Sequence, residues 1–333
     1  MIQTDIVVIG GGPAGLSAAL SAAALGAKVT LIDSGLRLGG QLVKQTHRFF
    51  GASDPFAGLR GFEIAERLVR ENRAIDRIEI LAPATVTGIY EDGVLTVAAE
   101  KSFRQIRPKR VVVATGASEN MIPFLNNDLP GVYGAGAVQT LMNLYGVLPG
   151  SRVLMVGAGN IGLIVSYQLL QAGVQVEAIV EAQGRVGGYW VHASKIRRFG
   201  VPIHTRHSIR SVDGREGVEE AVIAAIDKDL RWMEGTEKKL KVDTVCLAAG
   251  LSPLVDLLWM SGCRMRFVRE LGGFVALRDR NLRTTVENIY IAGDAAGIEE
   301  ATTAMIEGKL AGLSAALSLC PHDSQFQREL AGY

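Results

Sequence analysis

Residues 5–15 read DIVVIGGGPAG, and they set the architecture of this chain of 333 residues. The first five are an apolar, β-branched run, which is typical of a parallel strand covered on both faces. Gly10, Gly12 and Gly15 follow with the spacing GxGxxG, and a run of small residues after them predicts a helix. The next strand ends at Asp33. We therefore predict a βαβ unit.

Each glycine of this turn has a physical role. Gly10 permits the tight turn out of the strand, Gly12 lets a pyrophosphate approach the backbone, and Gly15 lets helix and strand pack closely. The helix N-terminus offers N–H groups and the positive end of its dipole to phosphates. Asp33 stands where an acid accepts hydrogen bonds from a ribose. The unit is therefore predicted to bind a dinucleotide.

The same pattern occurs a second time, as a strand at residues 152–156, the turn GAGNIG at 157–162, a helix, and a strand that ends at Glu181. A carboxylate there accepts from a ribose 2′-OH and repels a 2′-phosphate, so NADH is favoured over NADPH. Arg185 is the exception to this argument, because a nearby arginine could accommodate the phosphate. Two such modules in one chain indicate a hydride relay.

Further strands indicate how the two modules are arranged along the chain. Apolar runs at 110–115 and 242–248 each close on a small-residue turn, and 289–292 leads into Gly293-Asp294. We expect an α/β protein with two Rossmann-like dinucleotide-binding domains, one inserted into the other. The split domain, for FAD, comprises 1–118 and 251–333. The inserted domain, for NAD(P), comprises 119–250.

Composition excludes several classes of protein. The formal net charge is +1 and no basic stripe is present, so nucleic acid is not expected as a partner. No apolar run reaches the length of a membrane helix, and a cytoplasmic protein is the simplest expectation. The three cysteines, Cys246, Cys263 and Cys320, form no CxxC pair. We expect no metal site and a structural role for all three.

Five further segments resemble those of the two-dinucleotide-fold flavoproteins, and within them the short thioredoxin-reductase-like branch. These are GGQL at 39–42, ATG at 114–116, AGLSP at 249–253, GD at 293–294 and ATTA at 301–304. The resemblance implies that the GD aspartate binds the ribityl chain of FAD. It also implies that the last helix points its N-terminus at the flavin, where it would stabilise negative charge.

Motif and resemblance together predict two sets of binding residues. The set for FAD is Gly10, Gly12, Pro13, Ala14, Gly15, Asp33, Gly40, Gln41, Val86, Thr115, Gly116, Gly293, Asp294, Thr302 and Thr303. The set for NAD(H) is Gly157, Gly159, Asn160, Ile161, Gly162, Glu181 and Gly250. No catalytic acid or base is needed for hydride transfer between the two cofactors.

The chain departs from the thioredoxin reductases at two places. Those proteins carry a CxxC shortly before the second glycine turn, whereas residues 131–140 here contain no cysteine. Dithiol exchange needs a thiolate and a resolving partner, so disulfide reduction by the usual route is excluded. The basic cluster of the NADPH-using members is absent too, because residues 181–184 read EAQG. This again favours NADH.

Residues 127–143 resemble a narrower group, the FAD/NAD subunits of heteromeric amine and amino-acid oxidoreductases. Examples are the sarcosine oxidase α, opine dehydrogenase and hydrogen cyanide synthase subunits. Many of those chains continue into a cysteine-rich iron–sulfur segment, which is not found before Tyr333. We therefore expect either a self-sufficient enzyme or a subunit whose partner carries an iron–sulfur cluster or a second flavin. A homodimer or hetero-oligomer is expected.

A few residues have weaker functional interpretations. His47 follows the GGQL segment and could tune the flavin or donate a proton to it, although a surface histidine is the simpler interpretation. His204 and His207 could suggest a metal pair, but no carboxylate or cysteine accompanies them in sequence. Tyr189 and Trp190 could stack on a nucleotide base, although such aromatic residues more often lie in a core or an interface.

Overall fold

The computed structural model describes residues 2–49 and 56–319. The chain divides into two units, Met1–Ser118 with Leu251–Tyr333 (unit 1) and Glu119–Gly250 (unit 2). Cys320 and the polar tail after it lie outside the described residues. Within the described part, no helix has both the length and the apolar character that crossing a membrane requires.

The secondary structure is as follows. The first part of unit 1 contains β1 (Ile2–Ile9), α1 (Pro13–Ala24), β2 (Val29–Ile32), a 3-10 helix (Gly40–Lys44), α2 (Gly61–Arg73), β3 (Ile78–Leu81), β4 (Ala84–Ile89), β5 (Leu95–Ala99), β6 (Ser102–Val113) and β7 (Ala117–Glu119), whose last residue is the first of unit 2. Unit 2 contains β8 (Val132–Gly134), α3 (Ala135–Tyr145), β9 (Arg152–Val156), α4 (Asn160–Gln171), β10 (Gln175–Glu181), α5 (Trp190–Arg198), β11 (Ile203–Thr205), β12 (His207–Asp213), β13 (Glu220–Ala225), β14 (Lys238–Lys241) and β15 (Thr244–Leu247). Unit 1 resumes with β16 (Leu251–Pro253), α6 (Asp256–Met260), β17 (Met265–Val268), β18 (Gly273–Ala276), β19 (Ile289–Ile291) and α7 (Ala301–Leu317), with short 3-10 turns at Arg269–Leu271 and Gly293–Ala295.

Unit 1 is built on a sheet in which β3, β2, β1, β6 and β19 are parallel. Strands β5 and β4 extend it in antiparallel fashion from the first half of β6. The apolar runs of β1 and β6 are buried because hydrophobic clusters cover both faces of the sheet. The predicted parallel α/β architecture is confirmed.

Helices α1 and α7 pack closely along one face of this sheet. A Cβ atom on Gly308 would collide with the carbonyl oxygen of Ala14, and one on Gly312 would collide with that of Ala18. Small residues four positions apart on both helices therefore let the two backbones approach. This packing brings α7 against the helix that follows the first glycine turn.

Unit 2 repeats the plan with a fully parallel sheet of order β11-β10-β9-β15-β8. Residues 207–241 contribute a separate three-stranded antiparallel sheet, β12-β13-β14. Each glycine turn follows the central strand of its sheet, β1 in unit 1 and β9 in unit 2. Two Rossmann-like modules of the same design are therefore present.

Asp243 is a structural anchor of unit 2. Its carboxylate accepts hydrogen bonds from the N–H groups of Ser151 and Arg152 at 2.9–3.0 Å, and from the hydroxyls of Ser151 and Thr244. Burial alone would raise the pKa of Asp243, but these hydrogen bonds lower it below the ordinary 3.8.

Asp243→Asn should destabilise the protein by about 1 kcal/mol at neutral pH, because a neutral amide replaces a charged acceptor of several hydrogen bonds that are partly screened by solvent. The native pKa is depressed, so the wild-type advantage is fully present above 3.8. It should disappear as the pH falls through the lower native value. Urea unfolding of both proteins across this range measures the difference.

The matched control is Asp128→Asn, since Asp128 is exposed and lies in the same unit. We expect it to change the unfolding free energy by less than about 0.5 kcal/mol. An Asp243→Asn protein as stable as the wild type at neutral pH would show that the carboxylate is not an anchor.

Candidate functional site

The first glycine turn has a closed side and an open side. A Cβ atom on Gly10 would collide with the carbonyl of Ala114, and one on Gly15 would collide with the carbonyl of Gly10. At Gly12, by contrast, the nearest atom to an added Cβ is 3.9 Å away, the Cα of Gly40. The outer two glycines therefore serve internal packing, and the middle one leaves room at the N-terminus of α1.

Asp33, which directly follows β2, holds this turn by hydrogen bonds. One carboxylate oxygen accepts the Gly11 N–H at 2.6 Å and the other accepts the Gly35 N–H at 2.7 Å. A carboxylate has about four acceptor positions, so it can accept ribose hydroxyls in addition. The acid is held in place before any ligand arrives.

The second glycine turn has the same geometry in unit 2. A Cβ atom on Gly157 would collide with the carbonyl of Ala248, and one on Gly162 would collide with that of Gly157. Nothing lies within 4 Å of a Cβ built on Gly159. Asn160 and the exposed Ile161 begin α4 directly after it.

Glu181 holds the second turn by hydrogen bonds, in the same way that Asp33 holds the first. One carboxylate oxygen accepts the Ala158 N–H at 2.8 Å, and the other accepts the Gln183 N–H at 2.8 Å. Gly250, at the end of the unit, has φ +100 and is exposed, and its carbonyl accepts the Asn120 N–H at 3.0 Å. The ends of β9 and β10 thus frame one open space.

The segment 39–42 lies directly on the first turn. The Gly39 N–H donates to the Gly11 carbonyl at 2.8 Å, and a Cβ on Gly40 would lie 2.8 Å from the Cα of Gly12. Gln41 is exposed on the short 3-10 helix that follows. The predicted GGQL segment is therefore brought to the turn by a backbone hydrogen bond.

Thr115 and Gly116 follow the end of β6, next to β1. The Thr115 hydroxyl donates to the Leu254 carbonyl at 2.7 Å, and the Leu254 N–H donates to the Gly116 carbonyl at 2.9 Å. Gly116 has φ +77, which favours glycine. These bonds tie the two chain segments of unit 1 together beyond the sheet edge.

The Gly293-Asp294 turn abuts the start of α1. A Cβ on Gly293 would lie 2.8 Å from the Cβ of Ala14. The Gly293 N–H donates to Glu307 of α7 at 2.9 Å, and Glu307 forms a largely buried ion pair with Arg278 at 2.8 Å. The sequence interpretation missed this support, which joins residues far apart in the chain.

Asp294 itself is a perturbed carboxylate. Burial raises its pKa, and the negative charges of Glu307 and Glu299 raise it further, against one hydrogen bond from the Glu299 N–H. A half-buried carboxylate with spare acceptor positions suits a ligand that brings hydroxyl donors. Thr302 and Thr303 are half-buried in the first turn of α7, close behind it in sequence.

Two further predicted residues, Val86 and His47, have surroundings of a different kind. The Val86 side chain packs in a hydrophobic core, although the Ala84 N–H at the start of its strand donates to the Asp33 carbonyl at 2.8 Å. His47 is half-buried and stacks on Phe49, with ring centroids 5.4 Å apart.

The structure shows the surroundings of two residue pairs of unit 2, the aromatic pair Tyr189 and Trp190 and the histidine pair His204 and His207. Tyr189 and Trp190 are not core residues, because they are 55% and 74% exposed. The rings of His204 and His207 lie 5.3 Å apart. Among the described residues, no cluster of three or more potential ligands could hold a metal ion.

The two cysteines in the described part of the chain, Cys246 and Cys263, are buried. Burial raises the pKa of the Cys246 thiol strongly, and the charge of Glu119 raises it further. At the N-terminus of α3, the Gly136 and Ala137 N–H groups donate to the Glu119 carboxylate. A carboxylate of the chain itself therefore occupies the N-terminus of α3, in the segment where the absence of a CxxC was noted.

Both turns fit a bound dinucleotide. A pyrophosphate needs exposed N–H groups at a helix N-terminus and a backbone without a side chain in its path. Gly12 and Gly159 meet the second requirement, since an added Cβ at either would enter open space. Asp33 and Glu181 each place a fixed carboxylate beside their turn, with acceptor positions to spare.

A family model described as pyridine nucleotide-disulphide oxidoreductase matches residues 4–308. An opine oxidase subunit of Agrobacterium tumefaciens (strain Ach5) is 30% identical over 95% of this chain and 66% of its own length. The corresponding subunit of Rhizobium meliloti (strain 1021) is 32% identical over 95% of this chain and 71% of its own. The alpha subunit of sarcosine oxidase from Rhizobium meliloti (strain 1021) is 27% identical over 91% of this chain and 29% of its own. The resemblance expected from residues 127–143 is confirmed, and the chain spans only part of these relatives.

Solved structures share the fold. L-proline dehydrogenase from P. horikoshii superimposes with a TM-score of 0.72 at 25% identity, covering 100% of this chain and 59% of the other. Thioredoxin reductase from T. acidophilum gives a TM-score of 0.79 at 21% identity, covering 96% and 100%. The two-Rossmann-domain architecture is therefore shown.

Proposed function

The chain belongs to the pyridine nucleotide-disulphide oxidoreductase family, and from this premise we propose that it passes hydride between NAD(H) and bound FAD, and electrons on to a further acceptor. The observation that carries the proposal is the repeated turn, in which a packed glycine pair and a fixed acid surround one open glycine in each unit. Flavin supplies the redox chemistry, and the protein supplies binding and orientation.

The residues of unit 1 would each hold a part of FAD. The N–H groups at the start of α1 would bind the pyrophosphate beside Gly12, and Asp33 would accept from the adenosine ribose. Asp294 would accept from the ribityl hydroxyls, held by the turn that Glu307 supports. The N-terminus of α7 would stabilise negative charge on the reduced ring.

The residues of unit 2 would hold the nicotinamide nucleotide. The start of α4 would bind its pyrophosphate beside Gly159. Glu181 would accept from the adenosine ribose 2′-OH and would repel a 2′-phosphate, which supports NADH over NADPH. No thiol relay is part of the proposal, because the Cys246 thiol is buried and its pKa is raised.

Anaerobic stopped-flow mixing tests the proposal. The purified yellow protein is mixed separately with NADH and with NADPH while the flavin absorbance is followed. We expect NADH to bleach the flavin much faster than NADPH. Rapid bleaching by NADPH alone would contradict the role of Glu181, and bleaching by neither would contradict hydride donation through unit 2.

The comparisons favour a second candidate function. The relatives that match nearly the whole of this chain are named as subunits, of opine oxidase and of sarcosine oxidase. In this second proposal the chain is the FAD- and NAD-binding subunit of a heteromeric amine or amino-acid oxidoreductase. A partner with an iron–sulfur cluster or a second flavin would then oxidise the substrate or carry the electrons away.

Purification of the tagged chain from its native host separates the two candidates. The subunit hypothesis predicts a stoichiometric second chain, additional iron or flavin, and bleaching of the complex by a secondary amine such as an N-alkyl amino acid. A chain that purifies alone and turns over NADH with a quinone or dye supports the self-sufficient enzyme.

A further inference from the structure

Arg206 occupies an unusual position at the carboxyl edge of the unit 2 sheet. Strands β10 and β11 are parallel, and Glu181 is paired with Thr205, so Arg206 comes next to the residues that follow the acid. Ligands of open parallel sheets bind beyond the carboxyl ends of the strands. Arg206 therefore lies on the side of Glu181 from which the adenosine would approach.

The backbone of Arg206 is held in a strained conformation. Its φ is +53, which costs a residue with a side chain about 1 kcal/mol. Its N–H donates to the Gln183 carbonyl at 3.0 Å, and its carbonyl accepts the Ile226 N–H at 2.8 Å. The fold thus fixes this arginine against the turn that follows Glu181.

The guanidinium lies flat on Gly184. A Cβ atom built on Gly184 would be 3.0 Å from Nη2 and 3.2 Å from both Cζ and Nε. Because the distances to the central carbon and to two of the nitrogens are so similar, the Cβ position of Gly184 lies over the face of the guanidinium rather than at its edge. The glycine leaves room for this face, and Arg206 as a whole is exposed to solvent.

No carboxylate accounts for this placement. Within residues 2–49 and 56–319, Arg206 takes part in none of the ion pairs. Glu181, the acid beside it, has both oxygens on backbone N–H groups. An exposed, flat, positively charged group with no carboxylate partner suits stacking against an aromatic base.

We propose that Arg206 is the platform on which the adenine ring of the nicotinamide nucleotide stacks, with Gly184 behind it. The inference rests on the proposed function of unit 2 and adds the residue that recognises the base. Arg185 is also exposed in this loop and serves as the comparison. The other chemistry, an arginine that binds a 2′-phosphate, is disfavoured by the adjacent Glu181 and becomes an outcome of the test.

Calorimetric titration with ADP-ribose and with NADP⁺ provides a readout that does not depend on flavin reduction. We expect Arg206→Ala and Arg206→Asn to weaken ADP-ribose binding about tenfold. Arg206→Asn keeps a residue that tolerates positive φ, so a fold defect cannot explain a loss common to both. Arg206→Lys should not restore binding, because stacking needs the planar guanidinium. Arg185→Ala is the matched control, with less than about a twofold change expected.

A truncated hydride donor shows which part of the nucleotide Arg206 contacts. Reduced nicotinamide mononucleotide lacks the adenosine, so its rate of flavin reduction should be equal in the wild type and in the Arg206 variants. Unchanged ADP-ribose binding in the variants would overturn the inference and leave the proposed function intact. A loss confined to NADP⁺ and restored by Arg206→Lys would replace stacking by phosphate binding. A wild type that binds neither nucleotide would overturn both proposals.

Discussion

Gly12→Ala is expected to give a folded protein that purifies without its flavin. At this position φ is −78 and ψ is −173, which alanine adopts freely, and the added Cβ has no neighbour closer than 3.9 Å. Inside the protein the methyl group is therefore tolerated. It stands, however, where the FAD pyrophosphate would approach the backbone in the proposed binding mode. Overpacking of this kind should weaken flavin binding by about a hundredfold.

The flavin-to-protein absorbance ratio and the thermal unfolding temperature measured with circular dichroism check this prediction together. Gly15→Ala is the contrasting variant, because its Cβ would collide with the Gly10 carbonyl and should destabilise unit 1 itself. A Gly12→Ala protein that retains a full complement of tightly bound flavin would show that the pyrophosphate does not lie at this turn.

Gly159→Ala should give the complementary result, a stable yellow protein that NADH no longer reduces. Its φ of −73 suits alanine, and nothing lies within 4 Å of the added Cβ. The open space is the proposed path of the NADH pyrophosphate. We expect nucleotide affinity to fall about a hundredfold, with the flavin content unchanged.

Binding of ADP-ribose by calorimetry and anaerobic bleaching by NADH measure this loss. Dithionite should still bleach the variant, which shows that the flavin itself remains reducible. Gly12→Ala and Gly159→Ala act as controls for each other, since the same change at equivalent positions should remove a different ligand in each. If NADH reduced the flavin of Gly159→Ala at the wild-type rate, unit 2 would not be the site from which NADH donates its hydride.

Much of the scaffold can be predicted from local patterns. The predicted strand at 152–156 is β9 as observed, and the helix predicted after the glycine turn is α4. The strand predicted at 110–115 overlaps the last four residues of a longer strand, β6, which begins at Ser102 and ends at Val113. Its first half is polar and mostly exposed, and it is ordered by pairing with β5 rather than by an apolar run.

Several supports of the candidate sites could not be predicted in this way. The spacing of Gly308 and Gly312 was a usable signal for close helix packing, although it does not reveal α1 as the partner. Glu307 has no local signature, because its role depends on Arg278 and on the Gly293 N–H. Glu119 likewise acts only through the start of α3.

Glycine spacing, apolar runs and the acids at strand ends are properties of short segments. They can be predicted from the sequence because they depend on steric and solvation effects that act within a few residues. They were sufficient for two Rossmann-like modules and for the open glycine in each. The place of Arg206 depends on the register between β10 and β11, on a positive φ and on a glycine 22 positions earlier in the chain. Such an arrangement arises only when distant segments pack together, because the packing supplies the hydrogen bonds that hold the strained turn.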